Sequence, residues 1–213
     1  MKKTSLFLLT LLLCTTTIHA KYIKAVLYME DGTIKKGLSE KVELNDSKVK
    51  FRTDENAKTE KISSADIKKI EYTNEENLKI TVERLYVTTA NILTGKFSKS
   101  SKKKWMYIID DKNVKIGYIY EAPVNRPNAA GTSRVIMLAS TAYYFGKKDS
   151  DALVFGFVGG STVTIGADSL IRKMSREAFA DCPKIIDVIE KTNFKVKSAV
   201  EQLQTIFEKN KCK

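Results

Sequence analysis

LKITVERLYV, residues 78–87, decides how this chain is read. In an extended strand successive side chains point to opposite faces, so Leu78, Ile80 and Val82 share one side. The apolar positions then jump to Leu85 and Val87, on the other side. A β-bulge at Glu83-Arg84 is the expected cause of that shift. The segment therefore predicts a long, irregular strand and a chain dominated by β-structure around it.

Working outward toward the N-terminus, short strands recur between turn signals. Ile23, Ala25, Leu27 and Met29 alternate, and Asp31-Gly32 is a hairpin turn into Ile34–Leu38. Val42 and Leu44 alternate, Asn45-Asp46-Ser47 turns the chain, and Val49 and Phe51 alternate again. Residues 58–62 (KTEKI) follow, then SSADIKKIEY, a helical turn capped by Ser63 or Ser64 that feeds a strand. Toward the C-terminus, Trp105–Ile109 and Val114–Tyr120 flank DDKN as a second hairpin. Residues 122–134 hold two of the three prolines and read as a loop or linker. Val135–Phe145 and Leu153–Ile165 resume strand composition around GKKDSD, and from Asp168 onward the pattern is helical. Strands first and helices last argue for an α+β fold. The expectation is a mainly antiparallel β body, a small barrel or a curved sheet, followed by a C-terminal helical hairpin. The regions are residues 21–121 (β-rich), 122–134 (loop) and 135–213 (a β-hairpin region plus the helices).

The last thirty residues carry two cysteines. Pro183 suits the first position of a helix capped by Asp181 or Cys182, with Ile185, Ile186, Val188 and Ile189 as its apolar stripe. Asn193 breaks that pattern, and Val196, Val200, Leu203 and Phe207 repeat at helical spacing. Two antiparallel helices of this length return Cys212 toward Cys182. A bridge there would stabilise the fold by about 3–4 kcal/mol in the chain-entropy picture. The alternatives are a redox pair or a metal site. Redox motifs favour C-x-x-C spacing, and two thiols without histidine make a poor zinc site.

The compartment is read from MKKTSLFLLTLLLCTTTIHA, residues 1–20. Lys2 and Lys3, the apolar run Leu6–Cys14 and an Ile18-His19-Ala20 end have the layout of a cleaved secretory signal. Acylation of Cys14 is the rival, but Leu13 is not the small residue a lipoprotein signal wants before its cysteine. Cleavage after Ala20 leaves 193 of the 213 residues, Cys182 and Cys212 as the cysteines, no histidine, and a net charge of +10 instead of +12. No segment after residue 20 is long and apolar enough for a membrane-spanning helix. The expected location is the periplasm or the extracellular space.

Three stretches carry the resemblance to known proteins. They are LYMEDGTIKKG (27–37), KVKFRTDENAKTEKISSADIKKIEY (48–72) and the ending DCPKIIDVIEKTNF…C, with Asp181, Cys182, Pro183 and Cys212. Together they resemble a group of exported Gram-negative bacterial proteins of uncharacterised function. The resemblance implies export and the fold. It brings no catalytic residues.

A mature chain without histidine cannot run Ser-His or Cys-His nucleophile chemistry, nor hold histidine-containing metal sites. No catalytic residue, metal ligand or cofactor is assigned from the sequence. Asp110-Asp111 is a candidate carboxylate pair but reads as a turn, and Asp149 and Asp151 match only part of a calcium loop. GFVGGSTVTIG lacks the lysine of a phosphate-binding loop. From Arg84 to Ile109 there is no acid, and Lys96, Lys99, Lys102, Lys103 and Lys104 form the candidate anion-binding segment. Its bland alternative is a solvated hairpin tip. Tyr118, Tyr120, Tyr143, Tyr144, Phe145, Phe155 and Phe157 should divide between a core and an exposed face.

These features lead to a non-catalytic exported binding or interaction module of the cell envelope. The two alternatives are a binder of anionic lipid, lipopolysaccharide or polysaccharide through Lys96–Lys104, and a carboxylate-based glycan hydrolase. The expected partner is an envelope protein or an anionic surface, not nucleic acid.

Overall fold

The computed structural model describes residues 22–91, 94–121, 124–127, 133–137, 139–159 and 167–210. The signal-like segment 1–20, the Gly160–Ile165 stretch and Cys212 lie outside the described residues. The N-terminal strands are β1 (Ile23–Met29), β2 (Ile34–Ser39), β3 (Lys48–Arg52), β4 (Glu60–Ser63) and β5 (Ile67–Thr73). They are followed by β6 (Lys79–Ala90), β7 (Phe97–Lys99), β8 (Lys104–Asp110) and β9 (Val114–Glu121). Then come β10 (Val124–Pro127), β11 (Ser133–Met137), β12 (Ser140–Lys147) and β13 (Ala152–Gly159). Three helices end the chain: α1 (Ala167–Ala178), α2 (Pro183–Lys191) and α3 (Ala199–Lys209).

One sheet runs β13-β12-β9-β8-β6-β5-β1-β2-β3-β4, and β13 returns to pair in parallel with β6. That contact closes β6, β8, β9, β12 and β13 into a five-stranded barrel. β5, β1, β2, β3 and β4 continue from β6 as an open, curled sheet. Both expected architectures, a small barrel and a curved sheet, are therefore present and share β6. Helix α1 adds a third helix ahead of the expected C-terminal pair.

Three clusters of buried side chains fill this plan. Leu27, Phe51, Ile70, Tyr72, Val82 and Trp105 pack beneath the curled sheet. Leu85, Val87, Met106, Ile119, Tyr144 and Leu153 fill the barrel, as side chains must in so narrow a cylinder. Val114, Ile116, Phe145 and Phe157, on the barrel's outer face, meet Ile171, Phe179, Ile185, Leu203 and Phe207 of the helical layer. Phe145 and Phe179 stack with ring centres 5.9 Å apart, and Phe179 contacts Phe207 at 5.1 Å.

β6 corrects the expected bulge. Its pairing with β8 is regular from Thr81↔Ile108 to Leu85↔Lys104. The apolar pattern changes face because the strand serves two cores. Val82 belongs to the curled sheet's core, while Leu85 and Val87 face the barrel interior. The register shifts of the described strands lie elsewhere, at Tyr28–Met29 of β1, Ile108–Asp110 of β8, Val124–Asn125 of β10 and Tyr143–Tyr144 of β12. Two further expectations change. Val42 is buried but lies in a loop, its N–H donated to the Tyr72 hydroxyl at 3.2 Å. The 122–134 loop carries β10 and the start of β11, which pair with each other in a separate two-stranded sheet.

Other local readings hold. Gly32 takes the left-handed conformation (φ +87°) that the Asp31-Gly32 hairpin requires. Ser63 Oγ accepts from Ala65 N–H at 3.2 Å and caps the turn into β5. Cys182 and Pro183 begin α2, with Pro183 in the first turn. Arg172 of α1 ties the helices together. It pairs with Asp168 at 3.0 Å and donates to the Ile189 carbonyl at 2.7 Å, to the Glu190 carbonyl, and to the Thr192 carbonyl at 2.5 Å. A cation thus sits on the last carbonyls of α2, where Ile189 also accepts the Thr192 N–H.

Two outcomes test this packing. A Cβ on Gly156 would fall 2.4 Å from a ring carbon of Phe145, which is fully buried. Gly156→Ala is expected to destabilise by about 1–3 kcal/mol, read by urea unfolding. The second concerns Tyr144, inside the barrel. Burial, with a smaller contribution from the Glu121 carboxylate, pushes its pKa up to about 12. The unfolded chain ionises this hydroxyl near pH ~10, so stability is full below that pH and falls as pH rises toward the folded value. Circular dichroism should show alkaline unfolding in that window, with its midpoint raised by Tyr144→Phe.

Candidate functional site

Among the described residues, the two buried charged side chains lie at one mouth of the barrel. There Glu83, on the inward face of β6 beside Leu85, meets Lys115, on the inward face of β9. Lys115 Nζ donates to Glu83 Oε2 at 2.5 Å, and each residue is only 8% exposed. The two strands are separated by β8, so the side chains reach across it. Met106 of β8 lies directly opposite Glu83.

Several connections gather around this pair. Asp111 comes from the β8–β9 turn, Lys148, Asp149 and Asp151 from the β12–β13 turn, and Glu30 from the β1–β2 turn. With Lys68 and Lys69 of β5 and Arg84 of β6 they enclose a groove of about 430 Å³, a small-molecule size. The Glu83–Lys115 pair lines it. Among the described residues no hydrogen bond reaches Glu83 Oε1. Toward the described residues, half of the carboxylate therefore keeps its acceptor capacity.

The surrounding charges are mostly held in place. Lys103 pairs with Glu30 at 3.5 Å, and Lys99 pairs with Asp151 at 3.0 Å. Lys99 and Lys103 also sit 4.2 and 5.7 Å from the centre of the Tyr86 ring, within cation–π range. Tyr86 N–H donates to the Asp151 carbonyl at 2.8 Å, so the β12–β13 turn is fastened to β6 by backbone. Lys69 Nζ and the Tyr28 hydroxyl each donate to Glu71 at 3.0 Å. Burial works against the charge on both Lys69 and Glu71. Burial is the largest single influence on each, but the hydrogen bonds and the neighbouring charges together outweigh it, leaving Lys69 above the ordinary lysine value and Glu71 below the ordinary glutamate value. Lys68, Lys148, Asp111 and Asp149 are exposed and make no ion pair among the described residues.

The structure divides the Lys96–Lys104 segment. Lys96 is exposed in the β6–β7 turn, Lys99 is held by Asp151, and Lys104 opens β8 opposite Leu85. Lys102 and Lys103 line a recess of about 640 Å³ beside the groove, which it meets at Glu30, Arg84 and Lys103. Asp111, Asp149 and Asp151, weighed from two separate stretches, come together on the groove. Asp110 instead accepts the Lys112 N–H at 2.9 Å within the turn. No group of three or more His, Cys, Asp or Glu among the described residues is placed to hold a metal. No described helix is long and apolar enough to cross a membrane.

The aromatic set splits between two buried sides of the barrel wall rather than a core and an exposed face, and the register shift opposite Tyr143–Tyr144 puts Phe155 and Phe157 on different sides. Tyr144 and Phe155 face the barrel interior, Tyr143, Phe145 and Phe157 pack toward the helices, and Tyr120 is 56% exposed. Glu83, Lys115, Lys68 and Glu30 were not singled out by sequence. The available signal was an acid and a base on the inward faces of two apolar strands. Comparison with protein-family models, curated proteins and solved structures finds no match to this chain.

The pair gives a direct test. Removing one partner leaves an uncompensated buried charge, so Glu83→Leu or Lys115→Met alone should cost about 3–5 kcal/mol in urea unfolding. The double variant should recover most of that loss. Additive losses would show that the two side chains do not act as a unit.

Proposed function

We propose that this chain is an exported, non-catalytic binding module of the cell envelope, and that its contact site is the groove at the barrel mouth. The observation that carries the reading is the buried Glu83–Lys115 pair lining the groove, bonded through one carboxylate oxygen only among the described residues. Apolar side chains of similar size would close the barrel nearly as stably. The pair supplies instead a fixed, oriented polar surface on rigid strands, which suits recognition.

The signal-like layout of residues 1–20 and the basic mature composition support export to an envelope compartment. A disulfide between Cys182 and Cys212 belongs to this reading. It would lock the helical layer that covers the barrel's outer face. Among the alternatives, the anionic-surface reading loses force because Lys99 and Lys103 are engaged by acids of the chain. The hydrolase reading needs two carboxyl groups set across one cleft at a defined separation. Glu83, Glu30 and Asp151 are each held by a lysine, an arrangement better suited to binding.

Two measurements check the proposal. Fractionation of producing cells should recover a chain beginning at Lys21 in the envelope fraction, with neither Cys182 nor Cys212 alkylated before reduction. An intact N-terminus in the cytoplasm, or two labelled cysteines, would overturn the export reading. A photo-crosslinking residue at Ser150, on the groove, should capture a saturable partner in intact cells. The same residue at Lys61, on the exposed edge strand β4, should not. Equal capture at both positions would remove the groove as the contact site.

A further inference from the structure

The groove's charge content specifies more than its location. Among the described residues its walls carry six basic and five acidic side chains. A site for a simple anion would be dominated by bases, and a site for a simple cation by acids. Here the two signs are nearly balanced and occur side by side, as in Lys148-Asp149 and in the Glu83–Lys115 pair.

What remains unsatisfied is also of both kinds. Lys115 is shown giving one hydrogen bond, to Glu83, and an ammonium has three donors. Glu83 Oε1 accepts nothing from the described residues. On the rim, Lys68 and Lys148 are cations without an ion-pair partner among the described residues, and Asp111 and Asp149 are the matching anions. Lys103 and Asp151 are occupied by Glu30 and Lys99. Donors and acceptors are thus left open together, on a groove of about 430 Å³.

We infer that the groove binds a small zwitterion, an oxyanion and a primary ammonium carried on one short scaffold. The oxyanion meets Lys148 and the spare Lys115 donors. The ammonium meets Glu83 Oε1 and Asp149. The inference rests on the binding-module reading and adds the chemical class of its ligand. Phosphoethanolamine has this chemistry both as a free molecule and as a lipid headgroup.

The test is a titration of the ¹⁵N-labelled mature protein, followed through the amides of Glu83, Lys115 and Asp149. Phosphoethanolamine should give saturable shifts there. Inorganic phosphate and ethanolamine, which each supply half of the interaction, should each bind about tenfold more weakly or worse. Lys148→Ala and Asp149→Asn, both at exposed positions that leave the fold intact, should each weaken phosphoethanolamine by about fivefold or more. Glu83→Gln should abolish its advantage over phosphate.

Phosphate binding as tightly as phosphoethanolamine would overturn the zwitterion and leave the binding-module reading standing. Absence of groove shifts with all three probes would overturn the inference, and the Ser150 crosslink would then decide the broader reading separately. Vesicles distinguish the source. Binding to phosphatidylethanolamine vesicles but not to phosphatidylcholine vesicles supports a headgroup ligand, because a trimethylammonium has no N–H to donate. Equal binding to both would overturn the need for a primary ammonium.

Discussion

Strand β6 has to serve two bodies at once, and most of the architecture follows from that constraint. Its first half is hydrogen-bonded between β5 and β8, its second half between β13 and β7. The parallel contact with β13 is short, Tyr86–Thr88 against Ala152–Val154, yet it converts an open sheet into a closed barrel. Closure removes two sheet edges that would otherwise invite pairing with another chain. The open end of the sheet falls at β4, which is only four residues long and carries exposed Glu60 and Lys61. A short, charged edge is a poor template for edge-to-edge association.

The shared strand also explains why the barrel wall is so densely apolar. β8, β9 and β12 separate the barrel interior from cores packed on their outer faces, the helical layer or the curled sheet. In β9, Val114, Lys115, Ile116, Gly117 and Ile119 are buried on alternate sides of one layer. Such a strand cannot show a clean in–out alternation, because both faces are inside. The helices contribute the third layer, and Arg172 joins α1 to the end of α2 through Asp168 and three backbone carbonyls.

This double burial sets how much could be read from sequence. The Asp31-Gly32 hairpin, the Ser63 cap, the DDKN hairpin and the Pro183 helix start are local, and each was legible from a few neighbouring residues. The reversal at Glu83-Arg84 was visible too, but its cause was not. A bulge and a change of core give the same apolar pattern, and only the pairing with β8 separates them. Closure by a parallel contact between residues some sixty-five positions apart leaves no local signature. The groove was hidden for the same reason. Asp111, Asp149 and Lys103 attracted attention within their own stretches, while their convergence depends on how the barrel closes.

The same closure gives the Glu83–Lys115 pair its meaning. A five-stranded barrel packed with Leu85, Met106, Tyr144 and Leu153 must keep its interior dry. A leucine and a methionine at positions 83 and 115 would do that without the desolvation cost that two buried charges carry. Keeping the pair leaves a polar surface at the mouth, on a groove where Lys103–Glu30 and Lys99–Asp151 pair some of the charges and leave others open. The buried pair itself is held on strands before any ligand arrives, which lowers the ordering cost of binding. The feature least needed for folding is thus the best prepared for contact, and the proposed function rests on that asymmetry.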